Sequence, residues 1–315
     1  MIRGKAVAKV TVCVVTMMCI WTDVGFAQAE RFHVWAEGQR SAEAYGSDTS
    51  WTITPTEIDA TRLAVVGGTV LVGMVATHIY QENGWWKNNQ RSFHFREDLH
   101  YGLGVDKLGH FYGASALTFM LSEGLQWAGL AKTEALLWGA GTSILFQTYM
   151  ETRDGFSAWG FDRVDFAANV TGALYPVAQH HSPFLKNVNL KFSYHPSDLL
   201  NNPGGIGFAG QEHIIFDDYE GQTIWLSLNV NNVLPAHAEP FWPDWLALSI
   251  GYGARDVAGA NPHGVLFLGL DYDMKNIIPQ ESGFLRTLAE ALNFIRFPAP
   301  AVRISPSAIW YGLYF

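Results

Sequence analysis

Apolar residues follow two different periods along this chain. From Leu63 to Tyr80 a run of eighteen residues carries no formal charge. Its length is borderline for a bilayer span, which needs about 20 residues. A buried core helix is the other reading, and the glycines suit close helix packing in either case. Apolar residues at helical spacing then predict helices over about Lys107–Leu130, Thr133–Met150 and Arg163–Gln179. Pro176, followed by His180, His181 and Pro183, closes the last of these. From about Asn189 the period changes from 3.6 to 2. Ile224, Leu226, Leu228 and Val230 alternate with Trp225, Ser227 and Asn229. Leu246, Leu248, Ile250 and Tyr252 alternate with Ala247, Ser249, Gly251 and Gly253, and Leu266, Leu268, Leu270 and Tyr272 with Phe267, Gly269, Asp271 and Asp273. These are strands with one apolar face and one small or polar face. Phe284–Phe294 interrupts them as a short helix, with Leu285, Leu288 and Leu292 on one stripe. A last strand covers Ser307–Phe315, with Ile309, Tyr311, Leu313 and Phe315 on one side. The fold class is therefore α+β: a bundle of about four apolar helices followed by a mainly antiparallel β-sheet region.

A terminal strand ending in Phe resembles the final strand of outer-membrane barrel proteins. About five strands follow residue 189, whereas a single-chain barrel needs at least eight. The expectation is an antiparallel sheet, either with its apolar face covering the bundle or completed by another chain. Leu246, Leu248 and Ile250 are placed on the buried or lipid-facing side.

The segments before the bundle are different in kind. Residues 1–29 have a basic start (Arg3, Lys5, Lys9), an apolar stretch from Val10 to Trp21, and Ala27-Gln28-Ala29 as a small-x-small cleavage site. This reads as a secretory signal peptide, with an N-terminal membrane anchor as the alternative. Residues 30–60 form a polar arm, 61–185 the bundle and 186–315 the β-rich region. Residues 81–105 form a loop whose aromatics, Trp85 and Trp86 among them, suit a membrane interface. Both cysteines, Cys13 and Cys19, fall in the signal segment, so the mature chain has no thiol chemistry. Removing residues 1–29 takes three of the 20 basic residues and one of the 29 acidic ones, leaving 17 against 28. So acidic a chain is a poor nucleic-acid binder. Charged residues at 16% against 49% hydrophobic suit a membrane-associated protein.

Ionisable residues inside the helical stretches are the candidate chemistry, because burying them requires partners or a role. Asp106 and His110 are four apart and share a helix face. Asp165 and Asn169 repeat the spacing, as do Gln147 and Glu151. Packed together, three helix ends would bring Asp106, His110, Glu151 and Asp165 into one cluster, with Asp154 at its mouth. A carboxylate beside an imidazole can support general-base catalysis, and Asn169 can donate to a substrate oxygen. Lys107 and Arg153 are the cations available to bind or to neutralise the acids. The structural alternative is a satisfied polar network that fixes helix register. His with two carboxylates is a ligand set that chemistry allows, but no His or Cys spacing demands a metal, and no cofactor is expected. No nucleophile elbow, phosphate loop, HExxH or CxxC pattern occurs. Pro203-Gly204-Gly205-Ile206-Gly207 reads as a turn.

The run Asp106-Lys107-Leu108-Gly109-His110, then Glu151-Thr152-Arg153-Asp154-Gly155-Phe156-Ser157, then Asp165 through Asn169 to Gly172 resembles the YfiM-like family of predicted periplasmic lipoproteins, a domain of unknown function. The Asp-Lys and Asp-Asn pieces are distantly similar to VanZ-like membrane proteins. Lys191–Pro196 and Asp218–Ser227 look like longer members of the first family, which extends the resemblance over most of residues 78–315. Met17-Met18 ahead of Cys19 departs from the small residues that lipid attachment prefers. The resemblance implies an exported protein of the periplasm or outer membrane, or an inner-membrane protein with a periplasmic C-terminal region. It implies no reaction. Two function classes follow. One is a non-catalytic envelope component that binds a lipid, a glycan, a protein partner or a second copy of itself. The other is an envelope lipid or cell-wall hydrolase or transferase working through Asp106, His110 and Asp165.

Overall fold

The computed structural model describes residues 57–201, 214–235 and 237–315. The expected signal peptide, both cysteines, most of the arm and the Pro203–Gly207 turn lie outside the described residues. The architecture is α+β. Among the described residues four long helices come first: α1 (Ala60–Asn83), α2 (Val105–Trp127), α3 (Lys132–Gly155) and α4 (Arg163–His181). They precede an antiparallel sheet that has, among the described residues, six strands in sequential order. The strands are β1 (Val188–Tyr194), β2 (Gln222–Asn229), β3 (Leu246–Arg255), β4 (His263–Tyr272), β5 (Ala299–Ser305) and β6 (Ile309–Tyr314). Thr49–Asp273 and Asn293–Phe315 form one compact unit. Met274–Leu292 belongs to a second, and carries α5 (Met274–Ile277) and α6 (Gly283–Leu292), with Ala289 buried.

Local chemistry explains the helix boundaries. Asp59 caps α1 by accepting from the backbone N–H of Thr61 and Arg62, at 2.9 and 3.0 Å. Asp162 does the same for α4, accepting from Val164 and Asp165. Before α2 the chain turns through Gly102 and Gly104, both at positive φ. Helix α3 runs past the expected end at Met150 through Glu151, already placed at the helix end by its spacing, to Asp154, which was expected in the following turn. Pro176 lies inside α4 and does not end it.

Helices α2, α3 and α4 pack closely because small residues line their crossings. A Cβ on Gly172 would lie 2.2 Å from the Phe111 carbonyl oxygen, and one on Gly139 would lie 3.0 Å from that of Thr118. Polar side chains lock the same crossings. Thr118 donates to the carbonyl of Ala173 at 3.0 Å, and Ser143 to that of Ala114 at 3.1 Å. Helix α1 is different: of its 24 residues only Val66 and Gln81 are buried.

The alternation is present, and it excludes one of the two sides expected for the leucine face: that face does not cover the bundle but points mostly outward. Leu248 and Ile250 are 44% and 54% exposed, while Ser249 between them is 3% exposed. The apolar face meets helices along β1, where Tyr175 and Gln179 of α4 donate to the Val188 carbonyl, and at one end of β3. Phe192 stacks on Tyr112 at 5.6 Å, and Ala254 packs with Val105 and Tyr219. The sheet curls instead around the small and polar face. Lys191 on β1 reaches Asp271 on β4 at 3.3 Å, and Trp225 on β2 meets Tyr314 on β6 at 5.9 Å between ring centroids. Phe294–Arg296 pairs with the free edge of β1 through two backbone hydrogen bonds of 2.9 Å. The last strand departs from plain alternation. A register shift between Ala299 and Ala301 turns both Tyr311 and Tyr314 toward the Trp225 core, rather than leaving Tyr311 and Leu313 on one side.

Candidate functional site

The ends of α2, α3 and α4 hold a polar cluster. Asp106 and His110 come from the first turns of α2, Glu151 and Asp154 from the end of α3, and Asp165 and Asn169 from the start of α4. Two connections hold these ends together. Residues before α2 pair with the α3–α4 turn: Arg91 donates its N–H to Phe156, His94 to Gly155, and Phe161 to His94, at 2.8–2.9 Å. Phe93, Phe95, Phe156 and Phe161 form an edge-on aromatic group over this pairing.

Lys107 is the centre of the cluster. Its ammonium bonds Asp106 at 3.0 Å, Asp162 at 3.0 Å and Asp165 at 2.8 Å. Three N–H donors meet three carboxylates, so its capacity is filled. Asp162 is therefore both helix cap and charge partner, and it also accepts from the N–H of Asp98 at 3.0 Å. Asp106 spends its other oxygen on the Tyr219 hydroxyl, which donates at 2.8 Å from the segment ahead of β2. His110 lies beside this group. Its Nδ1 donates to Asn169 Oδ1 at 3.2 Å, and Asn169 donates in turn to Glu151 at 3.2 Å. Its Nε2 stands 3.7 Å from Asp106 Oδ1 and 3.8 Å from Asp165 Oδ2. Asp154 accepts from the Trp86 indole N–H at 2.6 Å.

The cluster is acid-rich, and its electrostatics follow. Burial pushes Glu151 up to about 8 and Asp154 up to about 7. Asp165 is raised as well, by burial and against the pull of His110. Burial pulls the His110 imidazole down, but Asp106, Asp165 and Glu151 outweigh it and push the ring up to about 9. Burial acts on Lys107 in the same downward sense, and Asp106 and Asp165 hold it above its ordinary value. Burial works against ionising Asp162, yet the Asp98 N–H and Lys107 hold it below the usual carboxylate range. At neutral pH His110 is thus an imidazolium and a donor, not a base.

The helix spacing brought together Asp106, Lys107, His110, Glu151, Asp165 and Asn169. It did not place Arg153 correctly: that side chain turns away, pairs with Glu82 and lies over the Trp86 ring at 5.0 Å. Tyr219 and Trp86 had no signal in helical periodicity, since one sits 113 residues from its partner and the other 68. Asp106, His110 and Asp165 each offer an atom within 4.8 Å of the others, so these three could hold a cation. Lys107 already occupies the adjoining oxygens.

Residues 93–179 match a family described as "Predicted periplasmic lipoprotein (DUF2279)". That stretch contains every helix-borne member of the cluster. It stops short of Tyr219 and the sheet, so the wider resemblance over residues 78–315 rests on the quoted motifs alone. No curated protein and no solved structure matches the chain.

Proposed function

We propose that this chain is a membrane-associated component of a bacterial-type cell envelope, exported and without a catalytic role, whose polar cluster braces the bundle so that its outer surfaces can bind lipid, glycan or protein. Lys107 carries this reading. All three of its donors are spent on carboxylates from two helices and a helix cap. A lysine so engaged has nothing left for a substrate, and removing one partner from such a network strands the others. The description of the matching family as periplasmic supports the location. The length and exposure of α1 support membrane association, since its 24 residues would cover about 36 Å as a helix.

The test is His110→Ala in the purified, detergent-held protein. Asn169 loses its donor, and a loss of about 1–3 kcal/mol is expected, read as a lower melting temperature. A variant that melts like the wild type and has lost a ligand or a stoichiometric metal would reject the brace. One observation favours the second reading, an envelope lipid or cell-wall hydrolase or transferase. Asp165 Oδ1 is buried without a hydrogen-bond partner, on the carboxylate whose other oxygen lies 3.8 Å from His110 Nε2. Elemental analysis of the wild type checks it, and the brace predicts no bound metal.

A further inference from the structure

The sheet is inside-out compared with one that faces water. A half-buried antiparallel sheet normally presents its apolar side chains to the core and its polar ones to solvent. Here the enclosed side holds Lys191 with Asp271, Asn229 and Asn293 on Asp273, and Arg296 over the Trp225 ring at 3.8 Å. Arg296 also donates to the carbonyls of Tyr314 and Leu270, at 2.6 and 3.2 Å. The outer side presents Leu226, Leu248, Ile250, Leu266, Leu268 and Ile304, all exposed.

Three further observations say what covers this outer side. The sheet is curled, because side chains of β1 reach β4 and those of β2 reach β6 across its interior. Its outer face is therefore convex, and neighbouring strands point their leucines in diverging directions. A flat partner would touch few of these leucines at once, whereas fluid acyl chains conform to all of them. Next, β3 and β4 are 10 residues long, the length of a strand that crosses a bilayer, which is about 9–11 residues. Last, aromatic side chains flank the leucine band at both ends. Trp245 stacks with Tyr272 at one end, and Tyr252 sits at the other, donating to the Leu103 carbonyl. Such flanking aromatics mark the levels where hydrocarbon gives way to headgroups.

We propose that the convex face of strands β2–β5 is embedded in the hydrocarbon of a lipid bilayer. This deepens the membrane-associated reading by naming the surface and its occupant, and it does not depend on the polar cluster.

The test uses the full chain in phosphatidylcholine–phosphatidylglycerol vesicles. Single spin labels are placed at Leu248→Cys, Leu268→Cys, Ser249→Cys and Phe241→Cys, with Cys13 and Cys19 replaced by serine. Collision with oxygen and with a water-soluble nickel chelate is then measured. Leu248 and Leu268 labels should show an oxygen-to-nickel ratio several-fold above that of Phe241, which lies in an exposed loop at 86% exposure. Ser249, enclosed, should be poorly reached by both. Ratios at Leu248 and Leu268 equal to that at Phe241 would put the face in water and overturn the proposal. Low collision with both reagents at those two sites would mean that protein covers it, either a segment of this chain or a second copy, and would overturn it equally. Two outward sites guard against one poorly folded variant. Co-sedimentation separates the two readings. A chain that pellets with vesicles but shows water-like labels keeps its membrane association and loses this face. A chain that stays in the supernatant loses both.

Discussion

The bundle and the sheet both bury charge, by opposite arrangements. At the helix ends, five carboxylates (Asp106, Glu151, Asp154, Asp162 and Asp165) gather around Lys107 and His110, and protons make up the balance on the acids raised by burial. Inside the sheet, Lys191 bonds Asp271 and the Tyr272 carbonyl, and Arg296, which also faces the Asp271 charge, donates to backbone carbonyls and lies over Trp225. The first arrangement responds to pH and ties together elements far apart in sequence. The second fills a curled sheet with partners, so that its leucines are left for the outside. A buried charge is costly either way. What differs is where the counter-charge comes from.

Cutting the Lys191–Asp271 pair has the largest expected effect. Lys191→Met removes the ion-pair partner of Asp271 in the sheet interior, leaving only the more distant Arg296 charge, and should cost about 3 kcal/mol, measured by denaturant unfolding in detergent. A loss below about 1 kcal/mol would mean that the pair behaves as a solvated one and that the interior is wet.

Next comes the polarity of β3. Ser249→Asp puts a charge into the enclosed face and should cost about 3 kcal/mol. In detergent, Leu248→Asp should cost less, because on the outer face the carboxyl can reach the headgroup layer of the micelle, an outlet that the enclosed Ser249 position lacks. The reverse order would turn the leucine face inward.

A pH series sharpens the contrast from the other side. Glu151, Asp154 and His110 all hold their protons more tightly folded than unfolded. Between the ordinary carboxylate range and about pH 9 the native state therefore binds more protons than the unfolded one, and stability falls as pH rises. Asp162 acts oppositely, and its contribution is lost in acid below the carboxylate range. The melting temperature should peak near about pH 5 and decline toward about pH 9. A curve that rises over that interval would contradict the acid-rich cluster.

These contrasts also explain what the sequence could disclose. The cluster was legible because its helical members announce themselves at four-residue spacing, as Asp106 and His110 do. Tyr219 was not, since a hydroxyl reaching across 113 residues leaves no local pattern. Alternation along β3 and β4 located both faces of the sheet, but the same pattern serves a face turned inward and one turned outward. The sign of that choice depends on how far the sheet curls and on pairs such as Lys191 with Asp271, 80 residues apart. Tyr311 and Tyr314 were misplaced for a related reason, because a register shift in the partner strand is invisible in either strand's own alternation.

As a brace, the cluster joins the helices to the segment that enters the sheet through the Tyr219–Asp106 hydrogen bond. A double-mutant cycle of Tyr219→Phe and Asp106→Asn measures it directly. The brace predicts a coupling energy of about 1 kcal/mol between the two sites, with both single variants folded and less stable than the wild type. Strictly additive effects would contradict it, and so would two variants that melt like the wild type.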